Sequence, residues 1–102
     1  MQYDFNMLER RAKELIDADR AREAIRIYLF MADGDPSLDG GYLGERLGEC
    51  YERVGDLHAA KYWYSRAIGE NPTVRLRSVA ALKRLEGVSI EDLMSPKLHA
   101  AK

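Results

Sequence analysis

The sequence predicts an all-α protein in which antiparallel helical hairpins repeat within one domain of a 102-residue chain. Three observations predict this class. Apolar residues recur three or four positions apart in successive segments, which is the period of an amphipathic helix. Gly, Asp and Pro residues separate these segments, as they do at turns. A constant spacing of 36 residues relates the two halves, and it links Ala24 with Ala60, Tyr28 with Tyr64, and Pro36 with Pro72.

The first hairpin is predicted over residues 4–36. Its first helix covers about 4–18, and its apolar stripe consists of Leu8, Ala12, Leu15 and Ile16. A turn at 17–19 leads into a second helix over about 21–33, whose residues for burial are Ala24, Ile25, Ile27, Tyr28 and Met31. Residues 34–36, Gly-Asp-Pro, end this helix. Residues 37–40 then form an extended connector, and the pair Gly40–Gly41 at its end is interpreted as flexible.

The second hairpin, residues 41–72, carries the clearest pattern. The apolar positions of its first helix are Leu43, Leu47, Cys50, Tyr51 and Val54, and those of its second are Leu57, Ala60, Trp63, Tyr64, Ala67 and Ile68. Between them, Gly55 suits a left-handed cap and Asp56 can cap the next helix. Gly48, Ala60 and Ala67 alternate with large rings, which predicts that the two helices approach closely.

The order Leu47-Gly48-x2-Tyr51, then Ala60-x3-Tyr64, then Ala67 and Pro72 resembles a tetratricopeptide (TPR) repeat. Gly44 stands where that family has an aromatic residue, and residues 61–64 with Ala67 resemble the Sel1-like relatives. The resemblance implies two repeats, at about 5–38 and 41–74, in a short right-handed superhelix. It also implies a scaffold that binds other proteins, without naming the partner.

The C-terminal part is predicted to close the repeat array. A capping helix runs from Thr73 to about Glu86, with Thr73 as its cap, and packs through Val74, Ala81, Leu82 and Leu85. A short helix is expected over about 89–95, which ends the single domain at 1–95. Residues 96–102 are expected to form a flexible tail.

Composition argues against several functions. The chain has 16 Lys and Arg against 17 Asp and Glu, so we expect no partnership with nucleic acid or with an anionic membrane. One cysteine cannot form an internal disulfide. The first eleven residues lack the pattern of a secretory signal, and no apolar stretch approaches the ~20 residues that span a bilayer. A cytoplasmic location is therefore expected.

No residue pattern predicts catalysis, a metal site or a cofactor. His58 and His99 are far apart in the sequence, and His58 is interpreted as a solvated or half-packed side chain. Cys50 falls on the buried face of its helix, where a small core residue is the interpretation and a nucleophile is not. Zinc spacings, a phosphate-binding loop and a Ser-His-Asp set are absent from the sequence. We therefore expect a protein that is not an enzyme.

The resemblance implies a concave groove, lined by the first helix of each repeat, that holds a peptide or protein partner. Carrying its positions across gives Asn6, Glu9, Lys13, Tyr42, Glu45, Arg46, Glu49, Arg53, Val79 and Lys83. The family's clamp for a terminal carboxylate is missing, because its places hold Glu9, Lys13, Arg46, Leu76 and Ala80. Glu45, Glu49 and Glu52 form an acidic strip, which favours a basic ligand unless it is merely a solvated face.

An alternative function is structural self-association. Ile27, Phe30 and Trp63 are large apolar residues that the repeat core does not require. If they are exposed, they form a patch that favours a homodimer with no separate peptide ligand. If neighbouring helices cover them, these residues give no reason to expect a homodimer.

Overall fold

A computed structural model describes residues 4–87, and the short helix and tail expected beyond them lie outside the described residues. Within this range the protein is all-helical, without strands, as the sequence predicts. The five helices are α1 (Phe5–Asp17), α2 (Ala21–Asp33), α3 (Tyr42–Arg53), α4 (Leu57–Glu70) and α5 (Leu76–Glu86).

Each helix packs against the next along the chain, and the α3–α4 pair is the most extensive. In addition, α3 contacts α5 directly, and α1 reaches α3 through the Glu9 and Tyr42 side chains. Helices α1, α3 and α5 therefore form one layer, while α2 and α4 lie side by side in the other. We call the layer of α1, α3 and α5 the odd-helix layer.

The turn between α3 and α4 forms as the sequence predicts. Gly55 adopts a φ of 85°, in the left-handed region that a residue with a side chain rarely adopts. The Asp56 side chain accepts a hydrogen bond of 3.1 Å from the Ala59 amide and so caps α4. Together the two residues reverse the chain within one tight connection, which sets α3 and α4 antiparallel.

The start of α5 differs from the prediction. The helix begins at Leu76 rather than Thr73, and Thr73 does not cap it. The Asn71 carbonyl instead accepts hydrogen bonds from the Val74 and Arg75 amides, so residues 72–74 form a separate turn after Pro72.

The connector between the hairpins is packed rather than loose. Leu38 is buried in the core, a contribution that sequence reasoning missed. Gly41 has a φ of 87°, and a Cβ built there would lie 2.6 Å from the Ala67 carbonyl oxygen. These findings correct the interpretation of Gly40–Gly41 as flexible, since Gly41 is held against α4.

The core is continuous in the first hairpin and smaller toward α5. Its main cluster consists of Ala12, Leu15, Ala24, Ile25, Tyr28, Met31, Leu38, Leu43, Leu47 and Cys50. A second cluster joins α4 to α5 through Ala60, Tyr64, Ala81 and Leu85. Ala24 and Ala60 are both fully buried, and so are Tyr28 and Tyr64, as their matching spacing predicts.

The close approach of α3 and α4 depends on Gly48. A Cβ at this position would lie 2.6 Å from two atoms of the Tyr64 ring, well inside any real contact. Gly44, one turn earlier, lies against Trp63 and Ala67 in the same way. The absence of an aromatic residue at position 44 therefore has a steric reason, because α4 occupies the space that a ring would fill.

Candidate functional site

The three carboxylates of the expected acidic strip are paired with α5 or with α3. Glu45 is only 6% exposed. One of its oxygens accepts hydrogen bonds from the Ser78 amide at 3.0 Å and the Ser78 hydroxyl at 2.8 Å. The other lies 3.3 Å from an Arg75 guanidinium nitrogen. Glu45 thus attaches the first turn of α5 to α3 and is not an open groove residue.

Glu49 and Glu52 bridge to α5 further along the two helices. Glu49 accepts hydrogen bonds from Arg46 at 3.2 Å and from Arg77. Both guanidinium nitrogens Nη1 and Nη2 of Arg84 donate to Glu52, at 2.6 and 3.1 Å. All three carboxylates therefore have cationic partners within the protein, so they are not a free acidic strip.

Burial and hydrogen bonding shift the ionisation of this cluster. The Arg84 guanidinium holds the pKa of Glu52 below its ordinary value, and the Tyr64 hydroxyl, which donates to Glu52 at 2.7 Å, acts in the same direction. Burial raises the pKa of Tyr64, and its hydrogen bond to Glu52 raises it further. Glu52 therefore remains charged and Tyr64 remains a donor at neutral pH.

A cleft of about 520 Å³ opens between α3 and α5, beside these bridges. We call it the α3–α5 cleft. It is lined by Ile16, Arg46, Glu49, Cys50, Glu52, Arg53, Tyr64, Arg77, Ala81 and Arg84. Four arginines and two glutamates give this lining a formal excess of two positive charges, although the whole chain carries a net charge of −1. The cleft is therefore basic, which is the reverse of the sequence-based expectation.

A second polar group joins α1 to α3 around Tyr42. The Tyr42 hydroxyl donates to Glu9 and accepts a 2.9 Å hydrogen bond from Nε of Arg46. The Arg46 and Arg75 guanidinium carbons lie 5.5 and 6.0 Å from the centre of the Tyr42 ring. Burial, and then the bond to Glu9, raise the pKa of Tyr42. This group connects α1 with the start of α5 through α3.

The ten residues predicted to line one groove lie in different places in the structure. Arg46, Glu49 and Arg53 line the α3–α5 cleft, whereas Asn6, Glu9 and Tyr42 line a smaller pocket of about 270 Å³ at α1. Lys13 is exposed, and its amine lies 3.6 Å from Glu9. The remaining three residues do not line either pocket, and they are Glu45, Val79 and Lys83.

The residues of α5 that contact α3 differ from those predicted to line the groove. Val79 and Lys83 were placed in the groove, but Arg77 and Arg84 are the residues that reach α3. Two residues along a helix correspond to a rotation of about 200°, so a small error in register exchanges one face for the other. The signal that was available is the pair of arginines seven residues apart, two helical turns on one face.

The residues considered for chemistry in the sequence are Cys50, His58 and His99. Cys50 is fully buried, and burial raises the pKa of its thiol to about 11, so the reactive thiolate is disfavoured. His58 is exposed on α4, and His99 lies outside the described residues. Within residues 4–87, the His, Cys, Asp and Glu side chains do not form a group of three or more that could hold a metal ion.

The expected self-association residues differ in their exposure. Ile27 and Trp63 are partly buried against the main core, while Phe30 is 51% exposed. Phe30, Trp63 and Leu29 line a groove of about 560 Å³ between α2 and α4, together with Arg26, Ala32, Asp33, Leu38 and Arg66. We call this surface the α2–α4 groove. Tyr62, which sequence reasoning did not select, is also exposed beside it.

Comparisons of the chain with family models, curated proteins and solved structures give no match. Among residues 4–87, every helix is too short or too polar to cross a bilayer. Function is therefore inferred from the geometry of the α3–α5 cleft and the α2–α4 groove.

Proposed function

We propose that this protein is a protein–protein interaction module, with TPR-like helical hairpins, that holds a peptide or protein segment in the α3–α5 cleft. The observation that carries the proposal is the cleft itself, an open polar groove between two helices of the odd-helix layer. Its size is within the range of small-ligand and peptide-side-chain sites. Its walls carry donors, acceptors and a small apolar floor, which suit recognition rather than bond making or breaking.

The TPR-like arrangement is supported by the equivalent burial of Ala24 with Ala60 and of Tyr28 with Tyr64. A layer formed by alternate helices is the arrangement that this repeat family would use to present a groove. The module is short, so a single cleft would give modest affinity, and tight binding would need several contacts or several copies.

Site-specific cross-linking tests the proposal. Ala80 is exposed and lies one helical turn from both Arg77 and Arg84, so a photoreactive amino acid placed there sits at the rim of the cleft. Glu86 is also exposed on α5, and it lies two residues, a rotation of about 200°, from Arg84, so it faces away from the cleft and is the matched control. We expect one partner to be captured from position 80 and not from position 86, and to bind again when purified.

Two results would contradict the location. If position 86 captured the same partner as efficiently as position 80, binding would use the face of α5 that carries Val79, seven residues from position 86. If the purified partner did not bind the protein again, the captured product would reflect proximity alone.

The second candidate function is homodimerisation through the α2–α4 groove. The specific observation in its favour is Phe30, a large apolar side chain that is half exposed beside Trp63 and Leu29. Light scattering at two concentrations tests it, with Phe30→Glu compared against Leu76→Glu, which alters an exposed apolar side chain on α5. A dimer abolished by the first change alone supports this function, whereas a monomer at both concentrations excludes it.

A further inference from the structure

The α3–α5 cleft carries its positive charge in a regular array. Arg46 and Arg53 are seven residues apart on α3, and Arg77 and Arg84 are seven residues apart on α5. Seven residues of helix cover about 10.5 Å, so each pair lies on one face of its helix at that separation. Glu49 and Glu52 lie between the two pairs.

The four arginines differ in how exposed they are and in the partners that each one already has within the protein. Arg46 is mostly buried, and it is committed to Tyr42 and Glu49. In contrast, the side chains of Arg77 and Arg84 are 71% and 59% exposed although each is bonded to a glutamate. Arg53 is exposed and forms no ion pair with any residue in the range 4–87.

A guanidinium group has five N–H donors, so one carboxylate does not saturate it. Arg77 uses Nη2 on Glu49, and Arg84 uses its two terminal nitrogens on Glu52. Arg77 and Arg84 can therefore each donate to a second carboxylate at modest cost, and Arg53 can donate to a first carboxylate. Bidentate pairing favours carboxylates over neutral acceptors here.

We propose, building on the proposed function, that the segment bound in this cleft is acidic and extended, with carboxylates three residues apart. In a polyproline-II conformation, residues i and i+3 lie on the same side, about 9.3 Å apart, which is close to the spacing of Arg77 and Arg84. The intervening residues then lie over the apolar part of the lining, where Ile16 is partly exposed, which favours small or apolar side chains there.

The two glutamates in the cleft distinguish a peptide from a nucleic acid. A peptide presents backbone N–H groups that Glu49 and Glu52 can accept, whereas a phosphate backbone presents only acceptors and is repelled by them. Single-stranded nucleic acid also needs exposed rings for base stacking. Tyr64 is the aromatic residue in the lining, and it is buried with its hydroxyl on Glu52.

Binding of defined peptides tests the inference. The probe is a fluorescent peptide of about twelve residues with Asp at every third position and Ala or Pro between, long enough to pass both arginine pairs at roughly 3.1 Å per residue. The reference peptide has Asn in place of Asp, and a third peptide has the same Asp residues in one block. Binding is followed by anisotropy and by amide shifts of the whole chain.

We expect the spaced Asp peptide to bind at least tenfold more tightly than the Asn peptide and more tightly than the blocked one. Raising the salt concentration should weaken this binding. Arg53→Glu should weaken it by at least fivefold, while Arg10→Glu, the same charge change at an exposed site on α1, should change it by less than twofold. Circular dichroism of both variants separates lost binding from lost folding.

Other results would overturn the inference. An oligonucleotide of equal charge that binds as tightly as the spaced peptide would make the cleft a general anion site. Equal binding by the Asp and Asn peptides, or no amide shift in α3 and α5 at about 1 mM peptide, would exclude an acidic ligand. A partner captured from position 80 that has no acidic segment would leave the proposed function standing and this inference wrong.

Discussion

Helix α3 is attached to the two ends of the molecule by different kinds of interaction. Toward the first hairpin it buries Leu43 and Leu47 in a continuous apolar core. Toward α5 it presents Glu45, Glu49 and Glu52, which meet arginines and Ser78 across the gap. The apolar side excludes water over a wide area, whereas the polar side is held at a few points.

The difference explains why the cleft lies where it does. Apolar side chains gain stability by filling space, so the first hairpin closes around its core. Long charged side chains lay their aliphatic stems along the protein and keep their charged ends in water, so they can bridge a gap while leaving it open to solvent. The same bridges that fix α5 therefore create the recess that we propose as a binding site.

The largest expected effect comes from breaking the buried attachment of α5. Glu45→Ala should lower the free energy of unfolding by about 3–5 kcal/mol, because the Arg75 charge and the Ser78 donors would lose their partner while remaining largely buried. Urea unfolding measures this effect, and amide hydrogen exchange should show α5 opening before α1 and α2. Glu45→Gln keeps an acceptor for Ser78, so its free energy of unfolding should lie between those of the wild type and of Glu45→Ala.

Glu14→Ala is the control for this comparison. Glu14 pairs with Arg11 at the surface, and its loss should change stability by less than about 0.5 kcal/mol. If Glu45→Ala unfolded no more easily than Glu14→Ala, or if all five helices lost protection together, the contrast between the two attachments of α3 would be wrong.

The next effect concerns the contact between α3 and α4. Gly48→Ala should destabilise the protein by about 1–3 kcal/mol, because its methyl group would overlap the buried Tyr64 ring, whose hydroxyl is held by Glu52. Gly69→Ala is the matched control on α4, where an added Cβ meets nothing within 4 Å. That change should stabilise the helix by up to about 1 kcal/mol, and a Gly48 variant of wild-type stability would refute the close packing.

Much of the fold follows from local pattern in the sequence. The bounds of α2 agree with the prediction. The Gly55–Asp56 turn was predicted from its residue types, and the burial of Tyr28 and Tyr64 from helical spacing and from the resemblance. These features depend on helical periodicity and on turn chemistry, which a single segment contains. Gly48 was also predicted, because a small residue between bulky ones indicates a close helix contact.

The site was less predictable because it depends on contacts between distant segments. Glu45 looks like any exposed helical carboxylate until Ser78 and Arg75 are brought to it across 30 or more positions in sequence. Leu38 and the true start of α5 were missed because a connector and a turn after Pro72 determine them. For the same reason the cleft lining is basic where the sequence predicted an acidic strip, because Arg77 and Arg84 reach it from a different helix.

The smallest expected effect is a pH dependence confined to the polar attachment. The folded-state pKa of Glu52 lies below its ordinary value, so its contribution is fully present above the unfolded pKa of about 4.3 and is lost as the pH falls through the lowered folded value. Because Arg84 is largely exposed, this contribution should stay below about 1 kcal/mol.

Urea unfolding between pH 7 and pH 3 checks this effect in the wild type and in Glu52→Gln and Arg84→Gln. Glu52→Gln should remove this part of the acid-induced loss of stability, and Arg84→Gln should remove less because the Tyr64 hydroxyl still donates to Glu52. The double variant should remove no more than Glu52→Gln, since Arg84 acts through Glu52. The variants should differ from the wild type in the amide exchange rates of α5, while the rates in α1 and α2 should match those of the wild type. Equal acid sensitivity in all four proteins would mean that the Glu52–Arg84 bridge does not hold α5, and that its attachment rests on Glu45 and the small apolar cluster alone.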